Sequence, residues 1–127
     1  MTGFIVFAHG SRVESANQAV RDVASKMAVS AALDVEAAFL ELGEPDLTAA
    51  ARNLRDRGAR RIIVIPYFLT LGMHLQRDLP RIVRDAAAAL GGDVEMHTTP
   101  PLDGHPALLA VLLDRASETL AADRTRA

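Results

Sequence analysis

Residues Arg61–Pro66 read RIIVIP and are the clearest strand signal in the chain. Its centre, Ile-Ile-Val-Ile, is apolar on both faces, which is typical of a central strand in a parallel sheet with both sides covered. Pro66 stands at the end of the stretch, where the missing N–H matters least. RIIVIP therefore predicts a buried strand of a parallel sheet.

Similar strand and helix signals alternate on either side of it. Further strands are predicted over Gly3–Ala8, Asp34–Leu40 and Asp93–His97. Helical spacing of apolar residues follows each strand, over Val13 to Met27, from Pro45 to Gly58, from near Pro80 to Leu90, and over Pro106 to Leu120. Four strand–helix units predict a single α/β domain over residues 1–127, with 121–127 as a frayed polar tail. The simplest sheet is open, parallel and flavodoxin-like, in the order 2-1-3-4, with helices on both faces.

Composition narrows the function. The chain has no cysteine, so any metal chemistry must use His, Asp or Glu. The net charge of −2 argues against general nucleic-acid binding. The N-terminal residues show neither a long apolar stretch nor a leader pattern, so we expect a cytoplasmic protein with no membrane segment.

Three titratable residues fall at one edge of the predicted sheet. Ligands of such sheets bind beyond the carboxyl ends of the strands, at the point where the winding reverses, here between the first and third strands. His9 follows the first strand, Glu41 the second, and the loop after the third leads to His74. His97 and His105 fit an edge strand and a helix start without a functional role. The candidate site is therefore His9, Glu41 and His74.

Other uses of a His-Gly turn are less well supported. An α/β-hydrolase needs a G-x-S-x-G elbow, which the chain lacks, and no P-loop or G-x-G-x-x-G is present. Histidine phosphatases have arginine before the nucleophilic histidine, whereas this chain has Ala8. Histidine-dependent phosphoryl transfer therefore stays a minor alternative.

Five motifs together resemble the sirohydrochlorin chelatase family of class II chelatases, in its short single-module form. They are His9-Gly10-Ser11-Arg12, Ala38-Phe39-Leu40-Glu41, Arg61–Pro66, Gly72-x-His74 leading to Asp78-Leu79-Pro80, and Gly104-His105-Pro106. The resemblance implies a chelatase-like fold and a lyase that inserts a divalent metal into sirohydrochlorin, a tetrapyrrole with eight carboxylates. It also implies His9 and His74 as the metal-handling pair, with Glu41 at the same site, and a symmetric homodimer in place of a two-module chain.

The chemistry of these residues agrees with that implication. Neutral imidazole suits Co²⁺, Fe²⁺ and Ni²⁺, and two histidines with one carboxylate leave coordination positions open, so the metal can pass to the macrocycle as a substrate with no permanently bound cofactor. A histidine or Glu41 can accept the pyrrole protons. Ser11, Arg12 and Arg77 are the predicted substrate-binding residues, because arginine binds carboxylates well.

Two questions stay open at the level of sequence. Cobalt is slightly favoured over iron by the resemblance to the short cobaltochelatase-like forms. The apolar stretch Tyr67 to Met73 suits a tetrapyrrole face and a dimer contact equally. A non-catalytic metal or tetrapyrrole carrier on the same fold is the alternative function.

Overall fold

The computed structural model describes residues 1–126 and confirms the predicted architecture. Four parallel strands form one sheet in the order β2-β1-β3-β4. The strands are β1 (Thr2–Ala8), β2 (Asp34–Phe39), β3 (Arg61–Pro66) and β4 (Glu95–Thr98). The helices are α1 (Glu14–Ala31), α2 (Leu47–Asp56), α3 (Met73–Ala89) and α4 (Pro106–Arg126). The winding reverses between β1 and β3, as the sequence predicts.

The strand register brings three loops to one edge of the sheet. Ala8 pairs with Phe39 of β2, and Phe7 pairs with Pro66 of β3, so the three strands end level with one another. The Tyr67 N–H continues this pairing by donating to the Phe7 carbonyl at 2.7 Å. The loops that follow β1, β2 and β3 therefore open on the same side.

The two faces of the sheet are covered unequally. On one face α2 and α3 enclose the larger core, in which Ile5, Phe7, Leu54, Ile62 and Val64 are fully buried. On the other face α1 packs on β1 and β2, and the buried residues of this smaller core are Val6, Ala8, Val20, Ala24, Ala37 and Phe39. No residue of β3 or β4 belongs to that second core, although β3 lies inside the sheet.

Helix α3 begins earlier than the sequence analysis expected. The prediction that the helix starts near Pro80 is wrong: it starts at Met73 and contains Pro80 in its interior. Proline removes one helical N–H and leaves the carbonyl four residues earlier, that of Gln76, without its helical partner. Both residues are exposed, so water can satisfy that carbonyl.

Helix α4 is longer than expected and is exposed over residues 109–124. It continues through 121–126, which the sequence analysis assigned to a frayed tail, whereas Ala127 lies outside the described residues. Every residue from 109 to 124 is exposed, including Leu109, Leu112, Leu113 and Leu120. Among residues 1–126, no helix has the length and apolar character needed to cross a membrane.

Candidate functional site

His9 and Glu41 face each other at the carboxyl edge of the sheet. His9 directly follows β1, Glu41 lies two residues beyond β2, and the two strands are neighbours. The His9 Nε2 atom lies 3.6 Å from Glu41 Oε1, and the two side chains are 53% and 57% exposed. Both groups are therefore close enough to act together and accessible to a ligand or to water.

Main-chain contacts hold the two loops against each other. The Glu41 N–H donates to the His9 carbonyl at 3.1 Å, and the Leu40 N–H donates to the Ala8 carbonyl at 2.9 Å. Gly10 has φ of +96°, and a Cβ at this position would lie 1.7 Å from the Glu41 carbonyl oxygen. Only glycine permits this approach, so the spacing of His9 and Glu41 depends on Gly10.

Asn17 on α1 joins the same two loops through its side chain. It is 1% exposed, and its Oδ1 accepts from the Ser11 N–H at 2.9 Å. Its Nδ2 donates to the carbonyls of Ser11 at 2.9 Å and Leu42 at 2.8 Å. The sequence analysis missed Asn17, although a polar residue three positions before Val20, on the buried stripe of the helix, was a signal that could have found it.

A network of charged side chains extends this contact. Glu14 accepts from Nδ2 of Asn17 at 3.5 Å and from the Arg21 guanidinium, which also donates to the Glu44 carbonyl at 3.1 Å. Hydrogen bonds from Arg21 and then from Asn17 lower the pKa of Glu14 below its ordinary value. Arg21 thus ties α1 to the loop after β2.

The predicted substrate-binding residues differ in their surroundings. The Ser11 hydroxyl oxygen accepts from the Val13 N–H at 3.0 Å, which stabilises the loop and leaves the hydroxyl hydrogen able to donate. Arg12 and Arg77 are exposed, and their guanidinium groups make no hydrogen bond or ion pair within the described part of the chain. Both cations are free to meet an anionic ligand.

His74 lies on the same edge but is not joined to the other two residues. It is the second residue of α3, one helical turn before Arg77, and it is exposed. Within residues 1–126 its imidazole makes no hydrogen bond or ion pair. The structure therefore brings His9 and Glu41 into direct proximity and leaves His74 in the first turn of α3, after the loop that follows β3.

Exposed apolar side chains surround this edge. Five large ones lie on the loops after β1, β2 and β3 or on the first residue of α3: Val13, Leu42, Tyr67, Leu69 and Met73. We call these five residues the apolar rim. Exposed apolar side chains beside a few polar side chains are typical of a binding site.

An acidic cavity lies between β2, α2 and their connecting loop, and Glu41 is one of the residues that line it. It has a volume of about 690 Å³ and is lined by residues of β2, α2 and their connecting loop, among them Glu36, Glu41, Glu44 and Asp46. Neither His9 nor His74 lines it. Its carboxylates repel an anionic ligand, which leaves the opposite side of Glu41, toward His9, for such a molecule.

The other two histidines, His97 and His105, each contact a residue in their own part of the chain. His97 Nε2 lies 3.0 Å from Glu95 Oε1 on the edge strand β4. His105 Nδ1 accepts from the Ala107 N–H at 3.1 Å, which helps α4 to begin. In the described range 1–126, no group of three or more His, Asp or Glu side chains forms a prebuilt metal cage.

The sequence is similar to one protein family over most of its length. The model of the CbiX family matches residues 3–119. Sirohydrochlorin ferrochelatase from Arabidopsis thaliana is 34% identical over 119 residues, which are 93% of this chain and 52% of that protein. The chain thus spans about half the length of this relative. Sirohydrochlorin cobaltochelatase from Sulfolobus acidocaldarius is 27% identical, and the alignment covers 98% of each chain.

A solved structure agrees over nearly the whole fold. The crystal structure of a cobalamin biosynthesis CbiX protein from Marinobacter aquaeolei VT8 superposes with a TM-score of 0.85 at 26% identity. The superposition covers 96% of this chain and 99% of that chain, so most of α4 lies within the matched region.

Proposed function

The chain belongs to the CbiX family, and from this premise we propose that it is a chelatase that inserts a divalent metal into sirohydrochlorin. The observation that carries the proposal is the pair His9 and Glu41, half exposed and 3.6 Å apart, at the sheet edge where ligands of this fold bind. The names of the relatives, sirohydrochlorin cobaltochelatase and ferrochelatase, support the same substrate.

The metal is a substrate that we assign to His9 and His74. Neutral imidazole is a good ligand for Co²⁺ and Fe²⁺, and a pair of such ligands leaves most coordination positions for water and for the macrocycle. A site of this kind holds the metal weakly enough to release it. The exposure of both histidines lets a large planar molecule approach the same ion.

We propose that the macrocycle lies on the apolar rim, with its carboxylates toward Arg12 and Arg77. The rim offers contact to the flat apolar face of the ring, and the two unpaired guanidinium groups suit the peripheral carboxylates. The acidic cavity beyond Glu41 disfavours the opposite placement. The Ser11 hydroxyl is a further donor for one carboxylate.

Insertion replaces two pyrrole protons with one metal ion, so two protons must leave for each turnover. Glu41 and His9 can accept them, because each is exposed enough to pass a proton on to water. We assign the first proton to Glu41, because the basic lone pair of the His9 imidazole is used while His9 binds the metal. The proposed enzyme is a lyase. One divalent metal ion replaces two protons of the macrocycle, so the total charge of the macrocycle does not change.

Cobalt is the metal that we propose. A relative that this chain matches over 98% of both chains, from Sulfolobus acidocaldarius, is named a cobaltochelatase, whereas the Arabidopsis ferrochelatase is matched over about half of its length. The ligand set itself accepts either ion.

A cytoplasmic location stays a prediction.

Anaerobic assays with sirohydrochlorin and Co²⁺ or Fe²⁺ test the proposal through the absorbance change on insertion. Wild-type protein should accelerate insertion over the spontaneous rate, and His9→Ala or His74→Ala should lower kcat by about 100-fold or more. His97→Ala is the matched control, because His97 is paired with Glu95 on β4. Absence of acceleration by wild type would refute the enzyme and leave a carrier, if the protein still binds the tetrapyrrole.

The placement of the macrocycle has its own test. Arg12→Ala and Arg77→Ala should raise KM for sirohydrochlorin while changing kcat little, because the guanidinium groups contact peripheral carboxylates in ground and transition states alike. Arg52→Ala, an exposed arginine on α2, is the control. An unchanged KM in both the Arg12 and the Arg77 variant would contradict the assigned orientation.

A further inference from the structure

Another cavity lies between α3 and the edge strand β4, and we call it the α3–β4 cavity. Its volume is about 400 Å³, within the range of about 300–1,000 Å³ that is typical of small-molecule sites. The described residues that line it include neither the pair His9 and Glu41 nor His74. The apolar side chains that line it all belong to the larger core or pack against it, and they are Leu71, Leu79, Val83 and Met96. The cavity therefore has a packed apolar floor.

The charged groups of the α3–β4 cavity favour an anion. Arg84 lines it and is exposed, and within residues 1–126 its guanidinium makes no hydrogen bond or ion pair. No Asp or Glu is among the described residues that line the cavity. His97 also lines it, but its Nε2 atom lies 3.0 Å from Glu95 Oε1, so the pair adds no free charge. A carboxylate beside Arg84 therefore meets an unpaired cation, whereas the acidic cavity repels such a group.

The other end of the cavity is neutral and can form hydrogen bonds. Gln76 lies in the first turn of α3 and Thr98 is the last residue of β4, so both lie near the carboxyl edge of the sheet. Pro80 also lines the cavity, and its missing N–H leaves the Gln76 carbonyl without a helical partner. The side chains of Gln76 and Thr98 are exposed and make no hydrogen bond within the described part of the chain. A free acceptor beside free donors suits a hydroxyl group, which donates and accepts at once.

We propose that the α3–β4 cavity binds a small unbranched hydroxy acid, with a carboxylate at one end of an apolar chain and a hydroxyl at the other. The carboxylate pairs with Arg84, the apolar chain lies on the floor, and the hydroxyl forms hydrogen bonds with Gln76 and Thr98. Gln76 and Arg84 are two helical turns apart on α3, a rise of about 12 Å. Both side chains line the cavity and cover part of this distance, so an acid of the length of octanoate bridges the rest.

A carboxylate could reach Arg84 from two sources, a free small acid or a peripheral arm of the macrocycle. The position of Arg84 favours the free acid. It lies about 10 Å farther along α3 than Arg77, away from the carboxyl edge at which α3 begins. Arg12 and Arg77 are nearer to that edge and are free to bind the macrocycle. The site for the small acid is therefore separate from the metal site and does not depend on the chelatase reaction.

Titration of the wild-type protein with octanoate, followed by methyl NMR, tests the location of the site. The methyl signals of Leu79, Val83 and Met96 should shift together and reach saturation. The exposed leucines of α4 are the competing apolar surface, so Leu109 and Leu112 serve as internal controls and should not shift. Shifts confined to α4, or shifts that do not saturate, would overturn the proposal.

Matched ligands and variants test the chemistry of the two ends. Arg84→Ala should raise the Kd of octanoate by about 10-fold, because a hydrogen bond to a charged group is lost, whereas Arg52→Ala, at an exposed position on α2, should leave it unchanged. Octylamine, which carries the opposite charge, should not bind at the cavity. A terminal hydroxyl on octanoate should lower the Kd by about 5-fold, and Thr98→Val should reduce this gain. Equal binding of octanoate and octylamine, an Arg84 variant that binds like the Arg52 variant, or no gain from the hydroxyl contradicts the proposal.

Competition separates the two sources of the carboxylate. Saturating sirohydrochlorin should leave the Kd of octanoate unchanged, because the macrocycle and the small acid occupy different places. Displacement of octanoate by sirohydrochlorin would assign Arg84 to the macrocycle and overturn a separate site. The experiment measures binding alone, so its result holds even if the protein does not accelerate metal insertion.

Discussion

Replacing Asn17 by leucine tests whether this buried side chain sets the geometry of the candidate site. Leucine has the same branched shape as asparagine although it is larger, and it removes the hydrogen bonds to the Ser11 N–H and to the carbonyls of Ser11 and Leu42. The variant therefore tests the polar contribution of Asn17 together with the change in side-chain size.

The expected loss of stability follows from those three bonds. Each neutral hydrogen bond contributes about 1 kcal/mol net, and the part-buried backbone groups are left without partners, so the free energy of unfolding should fall by about 3 kcal/mol. For a chain of this size the melting temperature should drop by about 10 °C. A stability of about 5 to 15 kcal/mol leaves the variant folded at room temperature.

Activity should fall beyond what stability explains. With the loop after β1 released from the loop after β2, His9 and Glu41 lose their fixed spacing, and misplacement of about 1 Å costs about 100-fold in rate. We expect kcat to drop about 10- to 100-fold while KM for sirohydrochlorin changes little.

Denaturant unfolding and anaerobic chelatase assays, both well below the melting temperature, measure the two effects. Asn53→Leu is the matched control, because Asn53 is exposed and makes one side-chain bond, to Glu36 at 3.0 Å. The Asn17→Asp variant keeps the acceptor for the Ser11 N–H but loses the Nδ2 donors and faces the Glu14 carboxylate, so it should resemble leucine at neutral pH. If either Asn17 variant matches the control in both stability and kcat, Asn17 does not set the geometry of the site.

The remaining predictions concern the same loops. Gly10→Ala should cost more than about 2 kcal/mol and most of the activity, because its Cβ would meet the Glu41 carbonyl, as thermal unfolding and assays can show. Gly91→Ala has a similar positive φ but open space around it, so it should cost about 1 kcal/mol and no activity. The hydrogen bond from Arg21 is the main cause of the lowered pKa of Glu14. The ionised Glu14 therefore stabilises the fold at pH values above its ordinary pKa of 4.5, and this stabilisation is lost as the pH falls through the lowered pKa. Denaturant midpoints should therefore decline less steeply on acidification in Glu14→Gln than in wild type, and equal slopes would contradict this role.

Local sequence patterns predicted most of the fold because the sheet is built from short, strongly apolar strands. RIIVIP identifies a central strand, and strict alternation with helical segments leaves few topologies. His9 and Glu41 could be paired from sequence because the carboxyl ends of adjacent parallel strands meet at one edge. The start of α3 could not be predicted, since an exposed proline is tolerated where water replaces its helical partner.

Other features depend on contacts that are distant in sequence. The position of Asn17 on the buried stripe of α1 indicates burial, but its carbonyl partner, Leu42, is 25 residues away in sequence and is known only from the structure. The same holds for α4: an apolar helical pattern predicts burial but does not identify the surface that buries it. The roles assigned to His74, Arg12 and Arg77 stay predictions that the activity assays must decide.

The close approach at Gly10 has a consequence for redesign. Because main-chain groups and Asn17 hold the two loops together, neither the imidazole of His9 nor the carboxylate of Glu41 is needed to maintain the scaffold. Both side chains are half exposed, so other ligand types can be introduced at these two positions while the backbone frame stays in place. The edge of this sheet can thus serve as a small platform on which the side-chain donor atoms at these two positions are exchanged while the backbone stays the same.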